Sequence, residues 1–137
     1  MEITKIEENK EKRYSIMSEV KCPLPHNHGV DEEKILRHLP SAKTVEDVSL
    51  VLRQLSDPTR LKIFWILCHM EECVINIAAI MNMSSPAVSH HLRLLKTCGL
   101  INSRRDGKEM YYEAADTEMV NELHRAIDSI AKITLPE

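Results

Sequence analysis

In the run Ser84-Ser85-Pro86-Ala87-Val88-Ser89-His90-His91-Leu92-Arg93-Leu94-Leu95-Lys96, hydroxyls, imidazoles and cations recur at spacings that gather them on one side of a helix. Val88, Leu92 and Leu95, four and three apart, make the opposite side apolar, and that side must pack on a core. Ser89, His90, Arg93 and Lys96 are left pointing outward, with Ser84 and Ser85 at the start. Such groups suit the base edges and phosphates of duplex DNA. Ser85 is the expected N-cap and Pro86 the first helical residue, where a missing N–H costs nothing. Taken alone, a capped basic helix is most simply a solvated surface element, so its surroundings have to decide.

Those surroundings form a module. Val74-Ile75-Asn76-Ile77-Ala78-Ala79-Ile80-Met81 predicts a short helix, and Asn82, Met83 and Ser84 separate it from the next, which is helix-turn-helix spacing. Cys98-Gly99 then supplies a helix stop. Beyond it, Leu100 to Arg105 and Lys108 to Tyr112 flank Asp106-Gly107, and Asp-Gly between two extended runs is a strong hairpin signal. Arg104, Arg105 and Lys108 at the hairpin tip can reach along the DNA backbone or into the minor groove. The expected architecture is therefore mainly α (α+β): a winged helix-turn-helix with a two-stranded β-hairpin wing and flanking dimerisation helices.

Size and charge agree. A chain of 137 residues, 43% apolar, can bury one core. Its net charge of −3 argues weakly against nucleic acid, so the distribution matters. Ser84 to Tyr112 carries five Lys/Arg against two acids, whereas Met1 to Glu33 carries five against eight. Basic charge is thus concentrated where DNA would lie. No apolar run approaches the ~20 residues of a membrane span and no signal peptide opens the chain, so the expectation is a cytoplasmic protein in a reducing compartment, without a membrane partner. Its four cysteines are then thiols or metal ligands rather than disulfides.

Residues 1–40 differ in kind from the rest. They are rich in Glu and Lys to Lys21, and Cys22-Pro23-Leu24-Pro25-His26-Asn27-His28-Gly29 then interrupts any helix, so they are expected to form a flexible or weakly helical arm. A winged-helix domain for DNA binding and dimerisation is expected over 41–135. Val45, Val48, Leu52 and Leu55 fall at 3-4-3 spacing, and Val120, Leu123, Ile127 and Ile130 repeat it. Stripes this narrow commonly pack against another helix, here one from a second copy that would let the dimer read a palindromic duplex; the alternative is that both stripes face their own core.

The chain resembles the ArsR/SmtB family of metal-responsive bacterial repressors. Residues that carry the resemblance are Leu55-Ser56-Asp57-Pro58-Thr59-Arg60-Leu61, then Ala87-Val88-Ser89-His90-His91-Leu92 with Leu95-Lys96 and Gly99-Leu100-Ile101, and Arg105-Asp106-Gly107-Lys108 leading to Tyr111-Tyr112. It covers roughly residues 40–133. The resemblance implies a homodimeric winged-helix repressor that leaves its operator when an inducer binds, usually a metal or metalloid ion.

It also implies where an ion would sit. Zinc sensors of this family that use the arm supply Cys-x3-His from it and Cys-x2-Asp from the first helix of the helix-turn-helix. Cys22, His26 and Cys73 match, whereas Asn76 stands where the Asp would be and Ile75 where the Cys-rich cadmium or lead version has a second thiolate. Two thiolates and an imidazole suit Zn(II), Cd(II) or Pb(II), with Zn(II) or Cd(II) the expected inducer and His28 or Glu72 able to complete a tetrahedron. The family's other common site, on the C-terminal helix, maps onto Asp116, Glu118, Ser129 and Lys132. These make a poor zinc cage, and Asp116 is expected to cap the helix instead. His124, on the same helix, reads as a lone surface histidine. Cys68 and Cys98 read as packed thiols, although Cys68 and Cys73 are close enough in sequence to leave a thiol-sensing regulator, or one without an inducer, as the alternative. Enzymatic function is not expected: there is no Gly-rich phosphate loop, no HExxH and no organised nucleophile, and three glycines leave little pocket-forming loop.

Overall fold

A computed structural model describes residues 25–134 apart from Asn27 and Val30. The chain divides into two compact units, residues 1–48 and 49–137. In the first lies α1 (Glu32–His38), whose N-cap Asp31 accepts the Lys34 N–H at 3.3 Å. Helix α2 (Ala42–Leu55) begins in this unit, where Ser41 Oγ accepts the Thr44 N–H at 3.0 Å, and it crosses into the second. Val45 and Val48 are exposed.

The second unit continues with α3 (Pro58–His69), β1 (Glu72–Cys73), α4 (Val74–Met81), α5 (Ser85–Thr97), β2 (Ile101–Asp106), β3 (Glu109–Ala114) and α6 (Glu118–Thr134). Its core joins Ile63, Phe64 and Leu67 of α3, Ile77 and Ala78 of α4, and Val88, Leu92 and Leu95 of α5, with Leu100, Ile101, Ala115 and Val120 closing it. The 4-3 stripe predicted for α5 is thus its buried side. None of the described helices is long and apolar enough to cross a membrane.

Local chemistry sets the boundaries. Asp57 accepts the Arg60 N–H at 2.9 Å and Pro58 opens α3; that hydrogen bond, with the Arg60 guanidinium nearby, holds the Asp57 carboxyl below its ordinary range. At α5 the cap is Ser84, not the expected Ser85: Ser84 Oγ accepts the Ala87 N–H at 3.3 Å. Pro86 is tolerated one position further in because the first four N–H groups of a helix have no intrahelical partner. Similarly Thr117, not Asp116, caps α6, its Oγ1 accepting the Val120 N–H at 3.2 Å. Helix α5 ends in a Schellman motif: Gly99 takes φ +74°, its N–H reaches Lys96 O at 3.0 Å and the Leu100 N–H reaches Leu95 O at 3.1 Å. Asn82, at φ 53° and ψ 47°, makes the equivalent left-handed turn between α4 and α5.

The wing hairpin is present, with Arg104 opposite Tyr111 and Asp106 opposite Glu109. That register makes Gly107-Lys108 the two-residue turn and leaves Asp106 as the last residue of its strand. Gly107 has φ +61°, and a glycine alone with positive φ at the first turn position is the pattern of a type II′ turn. The hairpin also carries a third strand that periodicity did not reveal: β1, only two residues long, pairs antiparallel with β3, Glu72 opposite Tyr112 and Cys73 opposite Tyr111, giving the order β1-β3-β2.

The two apolar stripes are divided in what they cover. Leu55 packs on the core and Leu52 is exposed. In α6, Val120 is buried and Leu123 and Ile127 pack against the core of their own chain, while Ile130 and Ile133 are 59% and 79% exposed.

Candidate nucleic-acid interface

Helix α5 is held by its buried stripe, so its far side is presented as a fixed surface. Ser84, Ser89, His90, Arg93 and Lys96 are exposed on it, with Ser85 half-buried at the start. The guanidinium of Arg93 lies 2.9 Å from His90 Nδ1, which steadies both side chains one helical turn apart. Lys96 Nζ donates to Ser103 Oγ at 2.6 Å, tying the last turn of the helix to β2.

That bond sorts the basic residues of the wing. Successive strand residues point to opposite faces, so Arg105 lies on the same face of β2 as Ser103, beside Lys96, and Arg104 on the other. Arg104 is already committed there. Its Nε donates to Glu71 Oε2 at 2.9 Å, its Nη2 donates to Glu71 Oε1, its guanidinium carbon lies 4.8 Å from the centre of the Tyr111 ring, and Asp106 is 3.8 Å away. These hydrogen bonds hold the Glu71 carboxyl below its ordinary range and push Arg104 up. Arg105 and Lys108 are exposed, and no hydrogen bond or ion pair engages their side chains among the described residues. Of the three wing cations expected to meet DNA, Arg105 and Lys108 keep their charge available and Arg104 braces the wing.

The expected metal ligands are only partly described. Cys22 lies outside the described residues. His26 and His28 are exposed in the first unit, their rings stacked with centres 6.0 Å apart. Cys73 belongs to the second unit, 8% exposed, a free thiol at the N-cap position of α4 whose side chain makes no capping hydrogen bond. Glu72, a candidate fourth ligand, uses Oε2 to accept the Cys73 N–H at 3.1 Å and the Asn76 amide at 2.9 Å. Cys68 is half-buried, and burial first, then the nearby Asp128 carboxylate, pushes its thiol up to about 11.

His124 departs from the expectation of a lone surface histidine. It is half-buried against His69, at the end of α3, and Asp128, one turn further along α6. The i, i+4 spacing of His124 and Asp128 was visible in the sequence, but nothing in it tied α3 to that face.

The helix-turn-helix and the start of the wing match a family model described as "Bacterial regulatory protein, arsR family" over residues 57–103. The chain is 33% identical over 106 residues to a transcriptional repressor SmtB homolog from Synechocystis, a match covering 77% of this chain and 80% of that one. The chain belongs to the ArsR/SmtB family. A cadmium resistance transcriptional regulatory protein CadC homolog from Staphylococcus aureus is 45% identical over 78 residues, 56% of this chain and 64% of its own length. Among solved structures, the homodimeric winged helix-turn-helix DNA-binding domain of a possible ArsR-family regulator from Mycobacterium bovis is similar, with TM-score 0.60 and 29% identity over 77% of this chain and 91% of that one. As an ArsR/SmtB member the chain is a DNA-binding transcriptional regulator with a winged helix-turn-helix fold, and not an enzyme.

Proposed function

We propose that this ArsR/SmtB protein is a cytoplasmic, homodimeric, metal-responsive repressor. Each protomer sets α5 into the major groove of one half of a palindromic operator, with Ser84, Ser85, Ser89 and His90 on base edges and Arg93, Lys96, Arg105 and Lys108 on phosphates. The observation that carries this is the Lys96–Ser103 hydrogen bond, which joins the polar face of α5 to the Arg105 face of the wing. Dimerisation through α2 and α6 is supported by the exposed Val45, Val48, Leu52, Ile130 and Ile133, and by the homodimeric state of the similar Mycobacterium bovis domain.

Metal response is supported by the resemblance to a repressor named as an SmtB homolog and to a regulatory protein named for cadmium resistance. A thiophilic divalent ion, Zn(II) or Cd(II), would be held by Cys22, His26 and Cys73, with His28 as fourth donor, a soft-to-borderline set suited to either. Its binding lowers operator affinity. The competing idea, thiol sensing through Cys68, is weakened by that thiol's raised pKa, which leaves little thiolate near neutrality.

Metal content and operator affinity of the purified protein, each measured with and without chelator, test both halves together. The expected result is tight, salt-sensitive binding after chelation and several-fold to about hundredfold weaker binding with Zn(II) or Cd(II), a coupling of ~1–3 kcal/mol. Equal affinity with and without the ion overturns the metal response, and no sequence-selective binding overturns the repressor reading.

A further inference from the structure

We propose that His69, His124 and Asp128 form a second metal site, within one chain between α3 and α6, for a divalent ion of borderline softness such as Zn(II) or Co(II). It shares no residue with the arm set or with Asp116, Glu118, Ser129 and Lys132. Nε2 of His69 and Nε2 of His124 face each other at 3.3 Å, and Asp128 Oδ2 lies 3.4 Å from His124 Nε2. All three donor atoms fall within 4.8 Å of one another. An ion bound at ~2.0–2.2 Å in a tetrahedron separates its ligands by about 1.63 times that length, roughly 3.3–3.6 Å. Two of the three edges therefore already have the length such an ion imposes.

Proton arithmetic points the same way. A neutral imidazole carries one N–H, so His124 Nε2 either donates or accepts. If it accepts from His69, its lone pair also confronts the Asp128 carboxylate; if it donates, one proton is shared between two acceptors. A cation at the centre satisfies all three donor atoms at once. The other oxygen of Asp128 is held: Trp65 Nε1 donates to Oδ1 at 3.1 Å, which leaves Oδ2 turned toward the imidazoles, as an outer hydrogen bond orients a ligating carboxylate. His69 is exposed, so the ion has a way in and a position for water as fourth ligand. Two nitrogens and an oxygen select a borderline ion, whereas the arm set adds two thiolates and is the softer of the two.

Trp65 is the single tryptophan of the chain and touches a ligand carboxylate, so it reports occupancy. The full-length protein is freed of metal and titrated with Co(II) and with Zn(II), following Trp65 emission and visible absorption. The expected result is an emission change together with Co(II) ligand-field bands that persist in the Cys22→Ser, Cys73→Ser double variant. Both signals should be lost, or affinity weakened about tenfold or more, in His69→Gln and in His124→Gln. Asp128→Asn keeps an oxygen for the Trp65 N–H and guards against a folding artefact, with circular dichroism as the check. Because the cysteine variant retains the signal whether or not DNA is released, failure of the arm reading leaves this one standing. Wild-type signals in folded His69→Gln and His124→Gln, or their loss in the cysteine variant alone, overturn it.

Discussion

Replacing Arg105 with alanine removes one cation from the wing face that adjoins Lys96, and two from the dimer. If both reach phosphate, the slope of log affinity against log salt becomes shallower by about 1.8, since each neutralised phosphate contributes roughly 0.9. Extrapolated from ~1 M to ~0.1 M salt, that is a loss on the order of sixtyfold in affinity, spread evenly over operator and non-operator sequences. Arg104→Ala should leave the slope close to wild type, because its guanidinium already faces both Glu71 oxygens on the opposite side of the strand. Fluorescence anisotropy of a labelled duplex, titrated at several salt concentrations, reads both slopes directly. Equal changes for the two variants would refute the assignment of faces, and an unchanged slope for Arg105→Ala would remove Arg105 from the interface.

Ser84→Ala deletes the side-chain acceptor at the start of α5 and should cost ~1 kcal/mol in denaturant unfolding, with Ser85→Ala costing less, since Ser84 alone makes the cap. Ile133→Glu should give monomers by sedimentation with little loss of fold, whereas Ile127→Glu should lower the unfolding midpoint because its side chain packs on its own core. Alkylation of Cys68 should be slow at neutral pH and accelerate toward about pH 11, measured by mass spectrometry of the modified peptide. The unfolded thiol titrates near 9.0, so the folded state holds this proton longer: the associated stability is intact below about pH 9 and falls as pH rises toward 11, and flat stability across that window would contradict the burial effect.

The helix-turn-helix was legible because its signals are local. The α5 stripe, the Asn82 turn and the Gly99 stop each act within a few residues, and the structure places them where periodicity and capping require. Ser84 and Ser85 could not be separated that way, since either hydroxyl can accept an N–H from the first turn and only the backbone path selects one. Strand β1 was not legible: two residues have no period, and Glu72-Cys73 is extended only because β3 lies beside it. The Arg104–Glu71 pair and the His69–His124–Asp128 cluster were hidden for the same reason. Glu71 and Arg104 lie 33 residues apart and His69 and His124 lie 55 apart, and no spacing rule spans such a distance, although the His124–Asp128 pair alone was visible. In α6 one 3-4-3 stripe ran through two environments, so its spacing showed that a face is apolar without showing what covers each end.

Those long-range contacts also bear on how an ion at Cys73 could reach DNA. Cys73 sits opposite Tyr111 in the sheet, Tyr111 sits opposite Arg104, and Arg104 is gripped by Glu71, two residues before Cys73. The segment Glu71–Cys73 therefore holds the wing twice, through the β1–β3 ladder and through the Glu71 carboxylate. It also begins α4, whose far end turns at Asn82 into the recognition helix. A ligand that draws the Cys73 thiol out of its buried position would strain strand pairing and helix start together, displacing Arg105 relative to Lys96. The Lys96–Ser103 bond joins the helix to the strand face that carries Arg105, so under the proposed mode of binding a small shift there would cost phosphate contacts from both.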